Sequence, residues 1–476
     1  MVDALAEVAR WYRKQPAARS GGVNQETDSC CPSTKLNRLL SIDIVQEFLR
    51  DKVSELRISL QRDRENHALH ATIALFLELV DRTDDDVVYH MERAMALAPD
   101  EVQYKAHHRR MAFNAVSKRA IIEIERKIKN GEIQTIPTKT SIAVRDSSSL
   151  TADEFIANYS VERMPVVIRG GAPLVTHPLW TLDFLSSHPA VATVQVETKR
   201  KVLDSVRWAC LEDGPRLSLR DFIAQKASAQ LYVHDVSIPL HFPGLAETMN
   251  IPAYFAGDFL QLAPQGSLYR ETWPSLFLGP ASTESQTHID SFGSNFWMAL
   301  MEGRKRWLLV HPDDVHLLYP HWHPGSPDLV FSVDLARPDH SLFPLHKYAR
   351  VSECIMEAGD ILFVPAGTPH YVENITDTVA VSSNYIDSSN WPLAREALEQ
   401  QSFSDPRAAE LLAHLEKIVA EGESHASREG LSLSFQEFKD PKKIDRSTKR
   451  RRIEDEFAAD FDEDPEEDYK NGVASY

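Results

Sequence analysis

The spacing of apolar residues changes along the chain, and this change most constrains the fold. From residue 35 to residue 132 apolar residues recur three and four positions apart, as in "LLSIDIVQEFLRDKVSELRISL" and "EVQYKAHHRRMAF", which is the spacing of amphipathic helices. The segment "GEIQTIPTKTSIAVRDSSSLT" is polar and loses this spacing, so we predict a boundary near 133–142. Residues 35–132 are therefore expected to form an α-helical domain.

Short runs rich in β-branched and aromatic residues replace the helical spacing from 143 to 390. They include "MPVVIRG", "RWLLVHP", "DILFVPAG" and "VAVSSNYI", separated by Gly, Pro and Asp. This pattern is typical of a closed or two-sheet β architecture. Helical spacing returns in "PLAREALEQ" and "PRAAELLAHLEKIVAEG", which predicts a helical segment at 391–436. The predicted fold class is α+β.

The two ends and the helical domain complete the expected division of the chain. Residues 1–34 form an N-terminal segment, and residues 437–476 carry a basic cluster and then an acidic run, a composition expected to stay disordered. In the helical domain, "MERAMALAPDEVQYKAHHRRMAF" resembles the seam between tetratricopeptide repeats. One seam is weak support, because a stable array needs about three repeats. A generic helical bundle therefore stays open beside a tetratricopeptide-like scaffold.

Composition and charge exclude several classes of protein. No window is apolar enough to span a bilayer, and "MVDALAEVARWYRKQP" lacks the apolar stretch of a secretory signal, so we expect an intracellular protein with no membrane segment. Four cysteines without C-x-x-C spacing predict reduced thiols. The formal charge of −18 argues against direct nucleic-acid binding and favours a basic protein or peptide partner, although net acidity also serves solubility alone. The helical domain is a candidate surface for further protein contacts.

The stretch "ESQTHIDSFGSNFWMALMEGRKRW" places His288 and Asp290 two residues apart in a strand-like run. Side chains two apart on a strand point to the same face, so both can reach one metal ion. His370, in "FVPAGTPHYVEN", is the candidate third ligand. Two imidazoles and one carboxylate form the facial triad of non-haem Fe(II) oxygenases. Three coordination positions then stay open for a bidentate 2-oxo acid and O₂.

Lys305 is the candidate for binding the other end of such a co-substrate. The distal carboxylate of 2-oxoglutarate requires a cation, which a lysine on the strand after the H-x-D turn can supply. A solvated lysine is the alternative. Lys305 alternates with Arg304 and Arg306, so it faces inward if those two are solvated.

Together these motifs resemble a known family. "GPASTESQTHIDSFGSNFW", "GRKRWLL" and "GDILFVPAGTPHYVEN" are similar to the Jumonji-C (JmjC) domain of the cupin superfamily, in particular to its phosphatidylserine-receptor-like, JmjC-only hydroxylases. The resemblance extends from about 150 to 390, and the JmjC domain is placed at 143–390. It implies a double-stranded β-helix, or jelly-roll, core in which Fe(II) is held by His288, Asp290 and His370.

The resemblance also implies which side chains contact 2-oxoglutarate. These polar residues are Lys305, Tyr232, Ser382 and Asn384, with Thr287 and Asn374 lining the pocket. One position that often holds a polar contact in relatives is Met298 here. We therefore expect the hydrogen bonds around 2-oxoglutarate to differ from those of the family.

The activity implied by the resemblance is that of a dioxygenase that uses Fe(II), 2-oxoglutarate and O₂ to hydroxylate a protein side chain. Three alternatives stay open: a histone lysine demethylase, an RNA-base hydroxylase and a non-catalytic cupin that only binds. The basic residues of "KKIDRSTKRRR" at 442–452 match a bipartite nuclear localisation signal, with a solvated basic stretch as the alternative. The expected location is nuclear or cytoplasmic.

Overall fold

The computed structural model describes residues 4–12, 14, 40, 42–81, 84–135, 139–202, 205, 207–322, 329–403, 405–420 and 432–435. The predicted tail at 437–476, with its candidate localisation signal, lies outside the described residues, as does most of the segment 1–34. Among the residues that are described, no helix combines the length and apolar character needed to cross a membrane.

Helices form the first part of the chain. They are α1 (Ala4–Tyr12), α2 (Asp43–Arg62), α3 (His67–Val80), α4 (Asp85–Leu97) and α5 (Val102–Lys129). Helix α2 buries a single stripe of Val45, Leu49 and Val53, spaced four apart, whereas α3 is buried at most positions. Helix α3 is therefore central to this domain, where each fully buried Val or Leu side chain contributes about 1.5–3 kcal/mol. Helix α2 contacts α3, α3 contacts α4, and α4 contacts α5. The tetratricopeptide-like interpretation stays a prediction.

Strands dominate from residue 140 to residue 385. They are β1 (Thr140–Ser141), β2 (Ala143–Asp146), β3 (Val166–Arg169), β4 (Gln195–Lys201), β5 (Leu211–Ser218), β6 (Leu231–Ser237), β7 (Asn250–Pro252), β8 (Ser275–Gly279), β9 (Glu284–His288), β10 (Asn295–Glu302), β11 (Arg304–Val310), β12 (Pro320–Trp322), β13 (Leu329–Phe331), β14 (Val351–Glu357), β15 (Ile361–Val364), β16 (His370–Asn374) and β17 (Thr378–Tyr385). Strand β18 (Ser432–Ser434) lies near the C-terminus.

Two sheets face each other across an apolar interior. Within the described residues, one sheet has five strands in the order β1-β14-β11-β16-β9, and the other has nine in the order β2-β3-β15-β10-β17-β8-β6-β4-β5. Alternate residues of facing strands fill the space between them, including Phe296 and Met298 from β10 and Trp307 and Leu309 from β11. This arrangement, with helices before and after it, confirms the predicted α+β fold with a jelly-roll core.

The other face of the nine-stranded sheet carries a larger apolar core. Trp297, Phe363 and Val381 belong to it, so β10 is buried on both faces. Short helices cover this face: Ala152–Phe155 with the π-helical turn Ile156–Ser160, α6 (Leu182–Ser187), α7 (Leu219–Ala229), Ile238–His241 and Pro243–Ala246. The 3₁₀ helices are Ala172–Leu174, Trp208–Cys210, Ala253–Phe255, Phe259–Leu262, Ser291–Gly293, Pro312–Leu318 and Pro344–Tyr348.

Helix α5 belongs to two cores at once. Near its start, Tyr104 and Met111 pack into the N-terminal helical core. Further along, Ile121 packs with Leu308 against the outer face of the five-stranded sheet. The helical domain and the β-domain therefore share one 28-residue helix.

The ends of the β-domain differ slightly from the predicted boundaries. Strand β1 pairs with β14, so the five-stranded sheet begins at residue 140, inside the segment predicted as a boundary. The C-terminal segment begins with α8 (Trp391–Gln401) and α9 (Pro406–Ala420), but residues 432–434 form β18, which pairs with β7. Strands of two or three residues are too short to show an alternating pattern in the sequence. Their formation depends on the distant strands with which they pair.

We expect Asn114→Ala to lower the free energy of unfolding by about 1–3 kcal/mol, because it removes two hydrogen bonds to the partly buried backbone of Trp322, each of which contributes about 0.5–1.5 kcal/mol. Asn114 is 1% exposed; it donates from its side chain to Trp322 O at 3.0 Å and accepts from Trp322 N at 2.8 Å. Urea denaturation measures the change. Val116→Ala, at an exposed position of the same helix, is the control, and an equal loss in both variants would contradict the assignment.

Candidate metal centre and co-substrate pocket

Two neighbouring strands bring the predicted metal ligands together. His288 is the last residue of β9, His370 is the first residue of β16, and the two are paired across the five-stranded sheet. Asp290 lies two residues after His288 in the chain. The ligand atoms of the three side chains all lie within 4.8 Å of one another. Asp290 Oδ1 is 3.9 Å from Nε2 of each histidine.

An irregularity in β9 aims His288 at this centre. Val372 pairs with Ser285 and His370 pairs with His288, so three steps along β9 match two steps along β16. Such a bulge re-aims a side chain and is common beside active sites. Strand β9 ends at His288, and Asp290, whose backbone is extended, directly precedes the 3₁₀ helix Ser291–Gly293. Asp290 therefore keeps an extended backbone, as the alternation of a strand requires, but it lies just beyond the paired residues of β9.

Backbone carbonyls fix the orientation of both imidazoles. His288 Nδ1 lies 2.6 Å from Gln286 O, and His370 Nδ1 lies 2.9 Å from Thr368 O. A carbonyl oxygen only accepts hydrogen bonds, so each Nδ1 carries the proton and each Nε2 keeps its lone pair. Histidines that bind metals typically have their tautomer fixed in this way.

The three buried ligand side chains form a site that suits a cation. Burial, together with His370, lowers the pKa of His288 well below its usual range, and burial raises the pKa of Asp290 against the opposing effects of His370 and Asn384. Oδ2 of Asp290 is buried, with no hydrogen-bond partner among the described residues. A divalent cation would bind this carboxylate and both Nε2 atoms. Two nitrogens and one carboxylate are the donor set of non-haem Fe(II).

The C-terminal helices hold the loop that carries Asp290. Gly293 has a φ of +65°, and a Cβ there would lie 2.6 Å from the backbone of Leu393 in α8. Only glycine allows this approach in this conformation. Asn390 also donates from Nδ2 to Gly293 O at 2.9 Å. The packing of α8 therefore positions the carboxylate ligand.

Lys305 lies in the interior between the sheets. It is 0% exposed, whereas Arg304 and Arg306 on either side form ion pairs with glutamates of β14. Lys305 Nζ donates to Asn374 Oδ1 at 2.6 Å and to Tyr232 OH at 3.1 Å. Burial lowers the pKa of Lys305 to about 7. A buried amine with these neutral partners is a site at which a carboxylate would stabilise the charged form.

Close packing fixes the acceptor for Lys305. Asn374 donates from Nδ2 to Thr283 Oγ1 at 2.8 Å, and its Oδ1 accepts from Thr378 Oγ1 at 2.9 Å. A Cβ on Gly279 would lie 2.0 Å from Asn374 Nδ2. Any side chain at residue 279 would therefore displace Asn374.

Ser382 and Met298 face each other across neighbouring strands. They are Cα partners in the β10–β17 pair, and Ser382 Oγ lies 3.3 Å from Ser275 Oγ. Met298 is 2% exposed. An apolar thioether therefore stands beside Ser382, at the position where a polar contact was expected from the family.

Two of the predicted co-substrate residues lie at other points of the site. Asn384 donates to Ser294 Oγ at 2.8 Å and lowers the pKa of Asp290 through a hydrogen bond, so it lies at the metal centre. Thr287 lines a cavity together with Lys201, and its buried Oγ1 has no hydrogen-bond partner among the described residues. Among the predicted residues, Tyr232 and Asn374 are the ones that the structure joins to Lys305 by hydrogen bonds.

Two aromatic neighbours of the centre were not predicted from the sequence. The ring of Trp208 lies 4.1 Å from that of His288, and its Nε1 donates to Ile289 O at 3.2 Å. His234 lies 5.3 Å from the Trp208 ring, and burial lowers the pKa of His234 to about 3, so it is neutral near pH 7. Its place two residues after Tyr232 was a usable signal. Trp208 follows a segment without regular spacing and gave none.

We expect Asp290→Ala and His370→Ala to weaken divalent-metal binding by more than roughly a hundredfold, the upper range for residues that only support a ligand. Each change removes a donor and leaves the apolar core intact. Anaerobic titration with Fe(II) or Co(II) measures the affinity, with circular dichroism as the check on folding. His340→Ala, at an exposed position, is the control. Unchanged affinity in either folded variant would contradict the ligand set.

Comparisons with known proteins agree with this fold and centre. The "Bifunctional arginine demethylase and lysyl-hydroxylase psr-1" of Caenorhabditis elegans is 28% identical over 277 residues, which are 54% of this chain and 65% of that protein. The "2-oxoglutarate and iron-dependent oxygenase JMJD4" of Homo sapiens is 31% identical over 180 residues, 36% of this chain and 40% of that protein. The "HSPB1-associated protein 1 homolog" of Danio rerio is 40% identical over 111 residues, 23% of this chain and 24% of that protein.

The chain spans less than two thirds of the length of each of these relatives. Residues 151–390 match the family described as "Cupin-like domain", a range that is just over half of the 476 residues. This range contains the metal centre and the buried Lys305. The resemblance to JmjC proteins is thereby confirmed, and the chain belongs to the cupin-like domain family.

Proposed function

We propose that this protein is an Fe(II)- and 2-oxoglutarate-dependent dioxygenase that hydroxylates a protein side chain. The observation that carries the proposal is the presence, in one jelly-roll domain, of a two-histidine, one-carboxylate cluster and a fully buried lysine. The cluster suits the chelating end of a 2-oxo acid bound to iron, and the lysine suits its distal carboxylate. Relatives whose names state iron, 2-oxoglutarate and lysyl hydroxylation support it.

The chain itself supplies binding and orientation. His288, Asp290 and His370 would hold the iron, while Lys305 and Tyr232 would bind the distal carboxylate. The iron supplies the oxidative decarboxylation of the 2-oxo acid and the oxidation of a substrate C–H bond by O₂. The fixed tautomers keep both Nε2 atoms available for the metal. The two sheets exclude water from the buried ammonium of Lys305.

The charge on Lys305 depends on pH and on the co-substrate. With a pKa of about 7, Lys305 is about half protonated at neutral pH. A bound carboxylate favours the protonated form and raises the pKa. The affinity for 2-oxoglutarate is therefore highest below pH 7 and falls as the pH rises through 7, by up to about tenfold per pH unit.

Replacing Lys305 tests this assignment. Lys305→Met should weaken 2-oxoglutarate binding ten- to a hundredfold or more, because a charged hydrogen bond contributes about 1.5–3 kcal/mol. It should also remove the decline in affinity between pH 7 and pH 9. Titration of metal-loaded protein with 2-oxoglutarate measures both effects. Lys139→Met, at an exposed lysine, is the control, and parallel pH curves for the Lys305 variant and the unaltered protein would contradict the role.

A protein with an exposed basic segment is the proposed substrate. The chain carries a formal charge of −18, which attracts basic partners. The name of the C. elegans relative states activity on arginine and lysine. Helices α1 to α4 provide additional surface for a partner larger than a peptide.

Demethylation is the alternative that the same name supports. Hydroxylation and demethylation both begin with oxidation of a C–H bond. They differ in whether the oxidised carbon is bonded to nitrogen, because such a product collapses and releases formaldehyde. The metal centre is the same for both.

We expect the substrate to gain one oxygen atom that stays attached. Intact-mass analysis together with a formaldehyde assay measures this, and Asp290→Ala provides the inactive control. Loss of methyl groups with an equal amount of formaldehyde would establish a demethylase instead.

A further inference from the structure

A surface cavity of about 180 Å³ lies close to the site. Its walls come from β4, β5, β6 and the turn before β5. The lining residues are Lys199, Arg207, Trp208, Leu211, Asp213 and His234. None of these residues was assigned a role in the sequence analysis.

One row of side chains connects this cavity with Lys305. Lys199 is the Cα partner of Asp213 on β5 and of Tyr232 on β6, so the three residues form a row across three strands. Tyr232 belongs to the interior core, and its hydroxyl accepts from Lys305. The row therefore leads from the exposed carboxylate of Asp213 to the buried ammonium of Lys305.

His234 and Trp208 connect the cavity with both ends of the proposed co-substrate site. The ring of His234 lies 5.0 Å from that of Tyr232. The ring of Trp208 lies 4.1 Å from that of His288. The charges of Lys305 and then Lys199 also contribute, after burial, to the low pKa of His234, which is consistent with its lying near both ammonium groups.

The rim of the cavity carries a positive charge in an acidic protein. Lys199 Nζ lies 2.5 Å from Asp213 Oδ1, and Arg207 Nη1 lies 3.7 Å from Asp213 Oδ2. Two cations thus share one carboxylate, while the whole chain carries −18. The side chains of Lys199 and Arg207 are 28% and 50% exposed, so their charges reach solvent. A local positive potential of this kind attracts anions and raises their association rate.

We propose that this cavity is the entrance through which 2-oxoglutarate reaches Lys305, and that Lys199 and Arg207 form an outer site that attracts this dianion. The inference rests on the proposed function. The dicarboxylate left after decarboxylation leaves by the same opening. Lys305 then determines how tightly the co-substrate is held, whereas the rim determines how fast it arrives.

Strand β4 offers a matched control. Lys201 lies two residues beyond Lys199 on the same strand, but it lines the other cavity, beside Gln286 and Thr287. Its ammonium is paired with Glu284. Arg207 lines both cavities, whereas Lys199 lines only the first. Neutralising Lys201 therefore removes the same charge from the same strand without removing a lining residue of the entrance.

The test is the association rate of 2-oxoglutarate with the full-length, Fe(II)-loaded protein under anaerobic conditions, followed by stopped-flow absorption. Lys199→Gln should slow association roughly two- to fivefold at low ionic strength, the size expected for one charge acting on a dianion at about 10 Å. Asp213→Asn should speed it, since it leaves the two cations unbalanced. Lys201→Gln should slow it less than Lys199→Gln does, because its charge lies farther from the entrance. The difference between Lys199→Gln and the unaltered protein should vanish near 0.5 M salt, where the screening length is about 4 Å.

Each other outcome has a definite meaning. Equal rates for Lys199→Gln, Asp213→Asn and the unaltered protein would overturn the entrance, and so would equal slowing by Lys199→Gln and Lys201→Gln. An effect of Lys199→Gln on the KM of the protein substrate alone would assign the cavity to that substrate and overturn the proposal. Failure of the unaltered, metal-loaded protein to bind 2-oxoglutarate would overturn the proposed function itself.

Discussion

The pairing of β9 with β16 is the contact on which the site depends. Paired strands lie about 4.7–4.9 Å apart, and His288 and His370 are direct partners in this pair. This spacing lets two imidazoles reach one ion, provided that both point to the same side. A shift of register by one residue would turn one of them to the other face. The bulge between Ser285 and His288 is therefore part of the site's geometry, as are the carbonyls that fix each ring.

The remaining polar groups of the interior depend on close contacts between distant segments. Asn374 stays beside Lys305 because Gly279 leaves room for its amide. Asp290 stays beside the histidines because Gly293 lets α8 approach its loop. Burying a lysine and a carboxylate in the interior costs free energy, and the hydrogen bonds that Lys305 makes to Asn374 and Tyr232 offset only part of that cost. These buried groups therefore lower the stability of the fold, but they provide sites at which a cation and an anion would bind.

Features whose signal lies in neighbouring residues could be predicted from the sequence. The change of spacing near residue 140 predicted helices followed by a β-domain, and the alternation of Lys305 with two arginines predicted its inward direction. Prediction from the sequence failed where the answer depends on partners far along the chain. Nothing near Asn384 indicates that it contacts Asp290, and nothing near Trp208 indicates that its ring covers His288. Strands β1 and β18 were missed because their pairing with β14 and β7 determines them.

Because of helix α5, the packed β-domain extends beyond the residues that match the family. The family match begins at residue 151, but Ile121, Ile124 and Ile128 cover part of the outer face of the five-stranded sheet. Strands β1 and β2, at 140–146, complete an edge of each sheet. A fragment cut at the start of the match would therefore expose apolar surface and open two sheet edges, both of which promote self-association. In this chain helix α5 acts as a structural part of the β-domain, although it begins in the core of the helical domain.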